Sequence, residues 1–255
     1  MLQVSVKPVP PSANPIVWID CEMTGLDLSK DALIEIAVIV TDSELNPLSP
    51  GLDLVIKPPA GATDDMVEVV QEMHTESGLL EELDSGTTLA DAEAQVLAHI
   101  QHWVPKERTA PLAGNSVGTD KMFLERDMPT LTNFLHYRII DVSSIKELAR
   151  RWHPRAYFNS PKKAGGHRAL ADIAESIDEL RYYRAALFPG DREPASVDAQ
   201  AHAERIAADS TLAKLDVLND AESSASDVNR DTPPEPEKPV KSSGTGEAFG
   251  LSNTQ

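Results

Sequence analysis

The stretch Ile16-Val17-Trp18-Ile19-Asp20-Cys21-Glu22 is an apolar run that ends in two carboxylates. Its β-branched and aromatic residues are typical of a buried strand. Side chains two positions apart on a strand leave it on the same face, so Asp20 and Glu22 are expected to converge. A buried pair of carboxylates is commonly compensated by a metal ion, whereas the simpler interpretation is a solvated pair at a strand end.

The rest of residues 16–190 alternates between strand and helix patterns. Apolar runs at 33–41 and 52–56, separated by turn residues, extend the first strand into an antiparallel meander. The pattern then predicts a helix at 89–103, a strand at 111–113, a helix at 119–127, a strand at 138–142, a helix at 143–152 capped by Ser143 or Ser144, and a helix at 168–187. This order predicts an α/β protein with a ribonuclease H-like fold. Its mixed five-stranded sheet has three antiparallel strands followed by parallel additions, and helices flank it.

The composition divides the chain into three parts. Residues 1–15 contain four prolines and no apolar core, so we expect a flexible N-terminal segment before the domain at 16–190. Residues 191–255 are acidic and rich in proline and serine, with a Pro/Glu tract at 233–239. Such a segment buries too little apolar surface to fold by itself, so it is expected to be mostly disordered, with a short helix at 199–218.

The formal charge of −18 restricts the possible partners. Proteins that hold long nucleic acids usually present a basic surface, because each neutralised phosphate releases counterions. The charge therefore argues against a long duplex and leaves a substrate with few phosphates, whose negative charge divalent metals offset. A single cysteine excludes an intramolecular disulfide, and no apolar stretch is long enough for a membrane span. A cytoplasmic protein without membrane contact is expected.

Three further acidic or basic residues follow small-residue turns. Asp120 comes after the turn at 114–119, where a helix-start aspartate is the alternative interpretation. His167 and Asp172 are five residues apart, which is about 140° around a helix axis, so they would not share a site in mid-helix. The preceding Gly165-Gly166 places His167 on a loop or first turn, from which it could close over a substrate.

Five stretches in this order resemble one known arrangement: WIDCEMTGL at 18–26, HTESGL at 74–79, GNSVG at 114–118, HYR at 136–138 and KELARRW at 146–152. With the acidic residues, they are similar to the DEDDh branch of the DEDD 3′→5′ exonuclease superfamily, and within it to the oligoribonuclease family. The resemblance implies a hydrolase in which Asp20, Glu22, Asp120 and Asp172 bind two divalent ions and His167 is the general base. Four carboxylates favour Mg²⁺ or Mn²⁺, and histidine titrates near neutral pH.

The resemblance also implies how the substrate is bound. Very short single-stranded RNA, of about two to five nucleotides, is degraded from its 3′ end to nucleoside 5′-monophosphates, and so few phosphates suit an acidic chain. The expected substrate contacts are Cys21, Met23, His74, Ser116, Tyr137, Arg138 and Ser143. Arg138 offers a planar fork for a phosphate, although a strand-end ion pair is the alternative. Family members are homodimers, so a homodimer is expected.

Two other functions compete with this one. The first is a DEDDh exonuclease that acts on longer RNA or on DNA, which the net charge argues against. The second is a nucleic-acid-binding module that has kept the nuclease fold without its activity. That outcome usually involves the loss of metal ligands, and all five expected active-site residues are present.

Overall fold

The computed structural model describes residues 14–162, 167–188 and 195–208. The chain forms two compact units, Met1–Asp191 and Arg192–Gln255. The first unit contains the sheet and its helices, and the second contributes a helix at Ser196–Ala208. The predicted helix at 199–218 is therefore observed up to Ala208, and its remainder lies outside the described residues. The same holds for nearly all of the predicted flexible N-terminal segment, so the predicted domain boundaries stay a prediction.

A mixed sheet of five strands forms the centre of the first unit. The strands are β1 (Ile16–Met23), β2 (Leu33–Thr41), β3 (Leu52–Val55), β4 (Pro111–Gly114) and β5 (His136–Asp141). Their order is β3-β2-β1-β4-β5, with β1 between an antiparallel and a parallel neighbour. The pairs β1–β2 and β2–β3 are antiparallel, and the pairs β1–β4 and β4–β5 are parallel. The predicted ribonuclease H-like fold is confirmed.

Helices cover both faces of this sheet. They are α1 (Glu68–Glu76), α2 (Leu79–Glu82), α3 (Leu89–Trp103), α4 (Gly118–Asp127), α5 (Pro129–Phe134), α6 (Val142–Trp152), α7 (Pro154–Phe158) and α8 (Ala169–Leu187), with α9 (Ser196–Ala208) in the second unit. None of the helices in the described ranges has the length and apolar character of a membrane span.

The alternation of side chains along β1 divides the core into two layers. Val17 and Ile19 point to one face, where they join a cluster with residues of α3, α4 and α5. Trp18 points to the other face and joins a cluster that contains Ile173 and Ile177 of α8. Because successive side chains alternate, Asp20 and Glu22 extend the Trp18 face, and the helix that packs there is α8.

The structure corrects some details of the predicted secondary structure. The cap of α6 is Asp141, whose side chain accepts a hydrogen bond from the Ser143 amide, rather than Ser143 or Ser144. Helices α1, α2, α5 and α7 were not predicted. They are short, and α1 buries only His74, so none of them carries an extended apolar period.

A matched pair of valine substitutions tests the assignment of the core. Val96 of α3 is fully buried, whereas Val69 of α1 is 69% exposed. We expect Val96→Ala to lower the free energy of unfolding by about 2 kcal/mol, since it removes two buried methyl groups and leaves a small cavity. Val69→Ala should change it by less than about 0.5 kcal/mol. Urea denaturation measures both, and equal effects would contradict the assigned packing.

Candidate active site

Three carboxylates converge where β1 ends. Asp20, Glu22 and Asp172 each offer one oxygen, and these oxygens lie within 4.8 Å of one another. Glu22 is buried, and the other two are partly buried. Oxygen donors at this spacing could hold a hard divalent cation such as Mg²⁺ or Mn²⁺.

Asp172 reaches this cluster because α8 is fixed to the sheet at its first turn. Glu35, a fully buried residue of β2, accepts a hydrogen bond of 2.9 Å from the Ala169 amide and one of 2.7 Å from Arg168 Nε. Arg168 also donates to Glu82 over 2.9 Å, so α2 is joined to the same point. The buried carboxylate thus satisfies an amide of the helix start and locks the position from which Asp172 projects.

Asp120 lies beside this group but does not belong to it. Its Oδ1 accepts a hydrogen bond of 3.0 Å from the Cys21 amide, which places its carboxylate next to β1. Burial raises the pKa of Asp120 to about 6, against the lowering effect of that hydrogen bond. Among the predicted metal ligands, the structure therefore brings Asp20, Glu22 and Asp172 together and places Asp120 at their side, facing the backbone between Asp20 and Glu22.

The pKa of Glu22 is raised further than that of Asp120. Burial, followed by the negative charges of Asp172, Glu35 and Asp120, raises its pKa to about 8, whereas Arg168 opposes the shift. A bound divalent cation would reverse this balance, since it favours the ionised form of each carboxylate. The donor set and its electrostatics therefore fit a metal ion.

His167 is exposed and immediately precedes α8. Its φ of 47° lies in the left-handed region, which non-glycine residues adopt at a cost. The Gly165-Gly166 pair that was expected to place it on a loop lies outside the described residues. His167 is close enough to His74 to contribute to lowering the pKa of that imidazole, although burial of His74 is the larger cause.

His74, a predicted substrate contact, is fully buried, so its imidazole is not accessible to a nucleobase. Its Nε2 is 2.9 Å from the Met23 carbonyl oxygen, and its Nδ1 is 4.0 Å from Glu22 Oε2. The imidazole thus packs behind the end of β1, and Met23 at its surface is half-buried. This places His74 as a support for Met23 and Glu22.

A second polar group forms where β4 and β5 end, at the same edge of the sheet as the end of β1. The Ser116 amide donates to Asp141 Oδ1 and to Ser143 Oγ, over 3.0 and 2.9 Å. The hydroxyl oxygens of Ser116 and Ser143 are 3.1 Å apart. Gly114 permits this turn, since a Cβ there would lie 3.2 Å from the Ile19 carbonyl oxygen.

Of the remaining predicted substrate contacts, two lie on the surface and one lies in the core. Tyr137 and Arg138 are exposed on the edge strand β5, with the Arg138 guanidinium 5.4 Å from the Tyr137 ring centroid. Cys21 instead points into the core on the face opposite to Asp20 and Glu22. Burial and the neighbouring carboxylates raise the pKa of its thiol. The predicted substrate contact of the Cys21 side chain is therefore wrong, because the side chain lies in the core and only the Cys21 amide faces Asp120.

Sequence reasoning missed several residues that support the site. Glu35 was detectable in principle, as the one charged residue within the apolar strand β2. Asn115, Lys146 and Glu179 form hydrogen bonds or ion pairs beneath Ser116 and Ser143. Asn115 and Lys146 lie within two of the matched stretches, but the roles of all three residues depend on contacts between distant segments, which a local pattern does not indicate.

Residues 17–180 match a family model described as an exonuclease, RNase_T. The five-stranded mixed sheet and the carboxylate cluster at the end of its first strand agree with that description. Fold and site together define a nuclease of the exonuclease class, and the family and the acidic cluster indicate the use of divalent metal.

Curated relatives narrow this class. The chain is 68% identical to an oligoribonuclease of Streptomyces coelicolor, with coverage of 74% of this chain and 95% of the relative. It is 60% identical to an oligoribonuclease of Leifsonia xyli, with coverage of 74% and 92%. A Mycobacterium oligoribonuclease is 58% identical, with coverage of 75% and 89%. The chain belongs to the oligoribonuclease family, as the sequence predicted.

Solved structures with the same fold are more distant in sequence. Exonuclease I of Methylocaldum szegediense matches with a TM-score of 0.51 at 21% identity. A zinc-bound complex of E. coli ExoI with single-stranded DNA matches with a TM-score of 0.53 at 16% identity. Each match covers 68% of this chain and 41% of the other, so this chain spans less than half of those proteins. They support the fold alone.

The raised pKa of Glu22 gives a prediction for the metal-free protein. Below about pH 4.5 the carboxyl is protonated in both folded and unfolded states, and its contribution to stability is lost as the pH rises through about 8. Glu22→Gln does not titrate. We expect its free energy of unfolding, relative to wild type, to increase by about 4 kcal/mol between about pH 5 and pH 8.5.

Urea denaturation in the presence of a chelator measures this difference. The matched control is Glu72→Gln, which removes an exposed carboxylate from α1 and should follow the wild type at both pH values. A pH dependence for Glu22→Gln that runs parallel to the wild type would contradict the electrostatic account of the cluster.

Proposed function

We propose that this chain is a 3′→5′ exoribonuclease that hydrolyses very short RNA, notably dinucleotides, to nucleoside 5′-monophosphates and so completes RNA degradation. The observation that carries the proposal is the convergence of Asp20, Glu22 and Asp172 within 4.8 Å in a member of the oligoribonuclease family. Carboxylates in this arrangement suit hydrolysis of a phosphodiester, whose developing negative charge needs a cation.

Asp20, Glu22, Asp120 and Asp172 are the proposed ligands of two divalent ions, Mg²⁺ or Mn²⁺. Oxygen-only donors favour these hard cations over zinc, which prefers nitrogen and sulfur. When bound, such ions stabilise the attacking and leaving oxygens of an in-line displacement at phosphorus. Asp120 keeps one oxygen on the Cys21 amide, which leaves its second oxygen for a metal.

His167 is the proposed general base. It is exposed beside the start of α8, five residues before Asp172, so its imidazole has access to solvent. A neutral imidazole nitrogen accepts the proton of the attacking water and returns it to bulk solvent. The Glu35 contacts to Arg168 and Ala169 hold the residues that follow it, and so limit how far His167 can move from Asp172.

The two ends of the substrate are assigned to the two polar groups at the sheet edge. Ser116, Ser143 and Arg138 are the proposed residues of a 5′-phosphate site. The Ser116 hydroxyl and the Arg138 guanidinium donate to its acceptor oxygens, whereas Ser143, whose hydrogen is donated to Asn115, holds Ser116 in place. Met23, supported by His74, is the proposed contact of the 3′ nucleotide, and Tyr137 of a base. Both groups lie at the same end of the parallel strands, so a short fragment could contact both.

The alternative substrate, a longer RNA or DNA, is not favoured. The net charge of −18 opposes the binding of many phosphates, because each would need a basic side chain or a metal to neutralise it. Substrate length is thus the property that best separates the two proposals.

A homodimer is proposed on the basis of the edge strand and its neighbouring helix. Tyr137 and Ile139 of β5 and Leu148 and Trp152 of α6 are exposed apolar side chains, and Trp152 is 66% exposed. Large apolar side chains clustered at a sheet edge commonly mark a protein–protein interface.

We also propose a cytoplasmic location, which is consistent with a single, buried cysteine.

A comparison of substrate lengths tests the proposed function. With Mn²⁺, we expect a 5′-phosphorylated RNA dinucleotide to be hydrolysed faster than a 20-mer, and a chelator to abolish both reactions. Asp172→Asn should lower the rate by more than about a hundredfold, because it removes a charge that the metal requires. Asp178→Asn is the matched control, since Asp178 is an exposed aspartate on the same helix. Faster turnover of the 20-mer would refute the proposed substrate, and an unchanged rate for Asp172→Asn would refute the metal site.

Sedimentation at micromolar concentration tests the proposed dimer. Trp152→Arg places a cation beside Arg150 and Arg151 and removes an apolar contact, so we expect the variant to sediment as a monomer and the wild type as a dimer. Val69→Arg, at an exposed apolar position of α1, should remain dimeric. A dimeric Trp152→Arg protein or a monomeric wild type would contradict the assigned interface.

A further inference from the structure

A buried polar network lies directly beneath the Ser116–Ser143 pair. Asn115 Nδ2 donates hydrogen bonds to Ser176 Oγ and Glu179 Oε2, over 2.8 and 3.1 Å. Ser176 and Glu179 belong to α8 and are only 2% and 3% exposed. A side chain of the β4 turn is thereby joined to the middle of α8, below the surface on which a substrate would lie.

Lys146 completes this network from α6. Its Nζ is 3.0 Å from Glu179 Oε1, so the two carboxylate oxygens of Glu179 are divided between Lys146 and Asn115. A buried carboxylate is stable only when its oxygens are paired, and removal of one partner leaves an uncompensated charge. The ion pair therefore fixes the position of Glu179 and, through it, the orientation of the Asn115 amide.

The fixed amide in turn orients Ser143. With both Nδ2 hydrogens on Ser176 and Glu179, the Asn115 Oδ1 is left as an acceptor, and Ser143 Oγ donates to it over 3.1 Å. The same Oγ accepts from the Ser116 amide over 2.9 Å. A hydroxyl has one hydrogen and two lone pairs, so these contacts leave Ser143 little freedom to rotate.

Ser116 needs this support, because its φ of 53° is in the left-handed region. Its amide is held by Ser143 Oγ and Asp141 Oδ1. Its hydroxyl, 3.1 Å from Ser143 Oγ, is on the exposed side of the pair and can turn its hydrogen toward Ser143 or toward a ligand. The strained backbone of Ser116 is thus held rigidly, while its hydroxyl can still rotate to donate to a ligand.

We propose that Asn115, fixed by the buried Glu179–Lys146 pair, is a positioning residue that sets the preference for a 5′-phosphorylated RNA end. The inference rests on the proposed function, in which Ser116, held by Ser143, contacts that phosphate. Asn115 acts through Ser143 and touches no substrate. Its removal frees the Ser143 hydroxyl to rotate, so that Ser143 Oγ is no longer a fixed acceptor for the Ser116 amide. The phosphate then has to order Ser116 upon binding.

A binding experiment with two dinucleotides tests this role. The probes are pApA and ApA, which differ only in the 5′ phosphate, and calorimetry in the presence of a chelator gives the ratio of their dissociation constants. Hydrogen bonds to a charged group contribute strongly, so we expect Asn115→Ala to reduce the preference of the wild type for pApA by about tenfold or more. Asn133→Ala, at an exposed asparagine of α5, should keep the wild-type preference.

A double-substitution cycle separates positioning from a merely structural role. If Asn115 acts through Ser143, Asn115→Ala in a Ser143→Ala background should change pApA affinity by less than about twofold. An equal loss in both backgrounds, or an equal loss of pApA and ApA affinity, would overturn the inference. Should Asn115→Ala fail to fold, Glu179→Gln carries the same test, because it keeps the side-chain volume while it removes the charge that pairs with Lys146.

Hydrolysis in Mn²⁺ distinguishes this inference from the proposed function. A wild-type protein that fails to hydrolyse pApA overturns the proposed function. A wild-type protein that hydrolyses pApA, together with an Asn115→Ala variant that keeps the full preference for pApA over ApA, overturns only the positioning role.

Discussion

Mutual repulsion among Asp20, Glu22 and Asp172 is the constraint that the surrounding structure has to satisfy. Their oxygens lie within 4.8 Å of one another, and the pKa of Glu22 is raised to about 8 by burial and neighbouring charge. Such a group would drift apart if it were carried by loops. Instead, two of the carboxylates extend from the central strand, and the third extends from a helix of nineteen residues that packs on the same face. The repulsion is thereby opposed by the packing of the core, and metal affinity is built into the folded state.

Two buried carboxylates with structural roles hold that helix in place. Glu35 binds its first turn through the Ala169 amide and Arg168, and Glu179 binds its middle to Asn115 and Lys146. Each of these carboxylates has its partners within hydrogen-bonding distance, which is the condition under which a buried charge is tolerated. The carboxylate cluster is therefore flanked by two further acidic residues, Glu35 and Glu179. These two differ from the cluster because they are paired with cationic side chains and amide groups.

The fold and the convergence of Asp20 with Glu22 were predicted from local periodicity and spacing. The addition of Asp172 to that pair followed from the family resemblance. The β1 run predicted a strand with two carboxylates on one face, and the five matched stretches predicted the family. The partners of the site could not be predicted in the same way. Asn115 and Glu179 are 64 residues apart, and the interaction between them becomes visible only once β4 and α8 are packed together. Cys21 was predicted to contact the substrate, but its side chain lies in the core. Side chains alternate along a strand, so the alternation that puts Asp20 and Glu22 on one face of the sheet puts Cys21 on the other.

Helix α8 carries groups of both sites on one rigid element. Asp172 belongs to the carboxylate cluster, and Glu179, seven residues later, belongs to the network beneath the serine pair. At a rise of 1.5 Å per residue, these two positions are separated by about 10 Å along the helix axis. Under the proposed function, the helix keeps a fixed distance between the carboxylates at the bond to be cut and the serine pair at the 5′ phosphate. A preference for short fragments would then follow from the rigidity of one helix, which fixes the separation of the two ends of the substrate before any substrate binds.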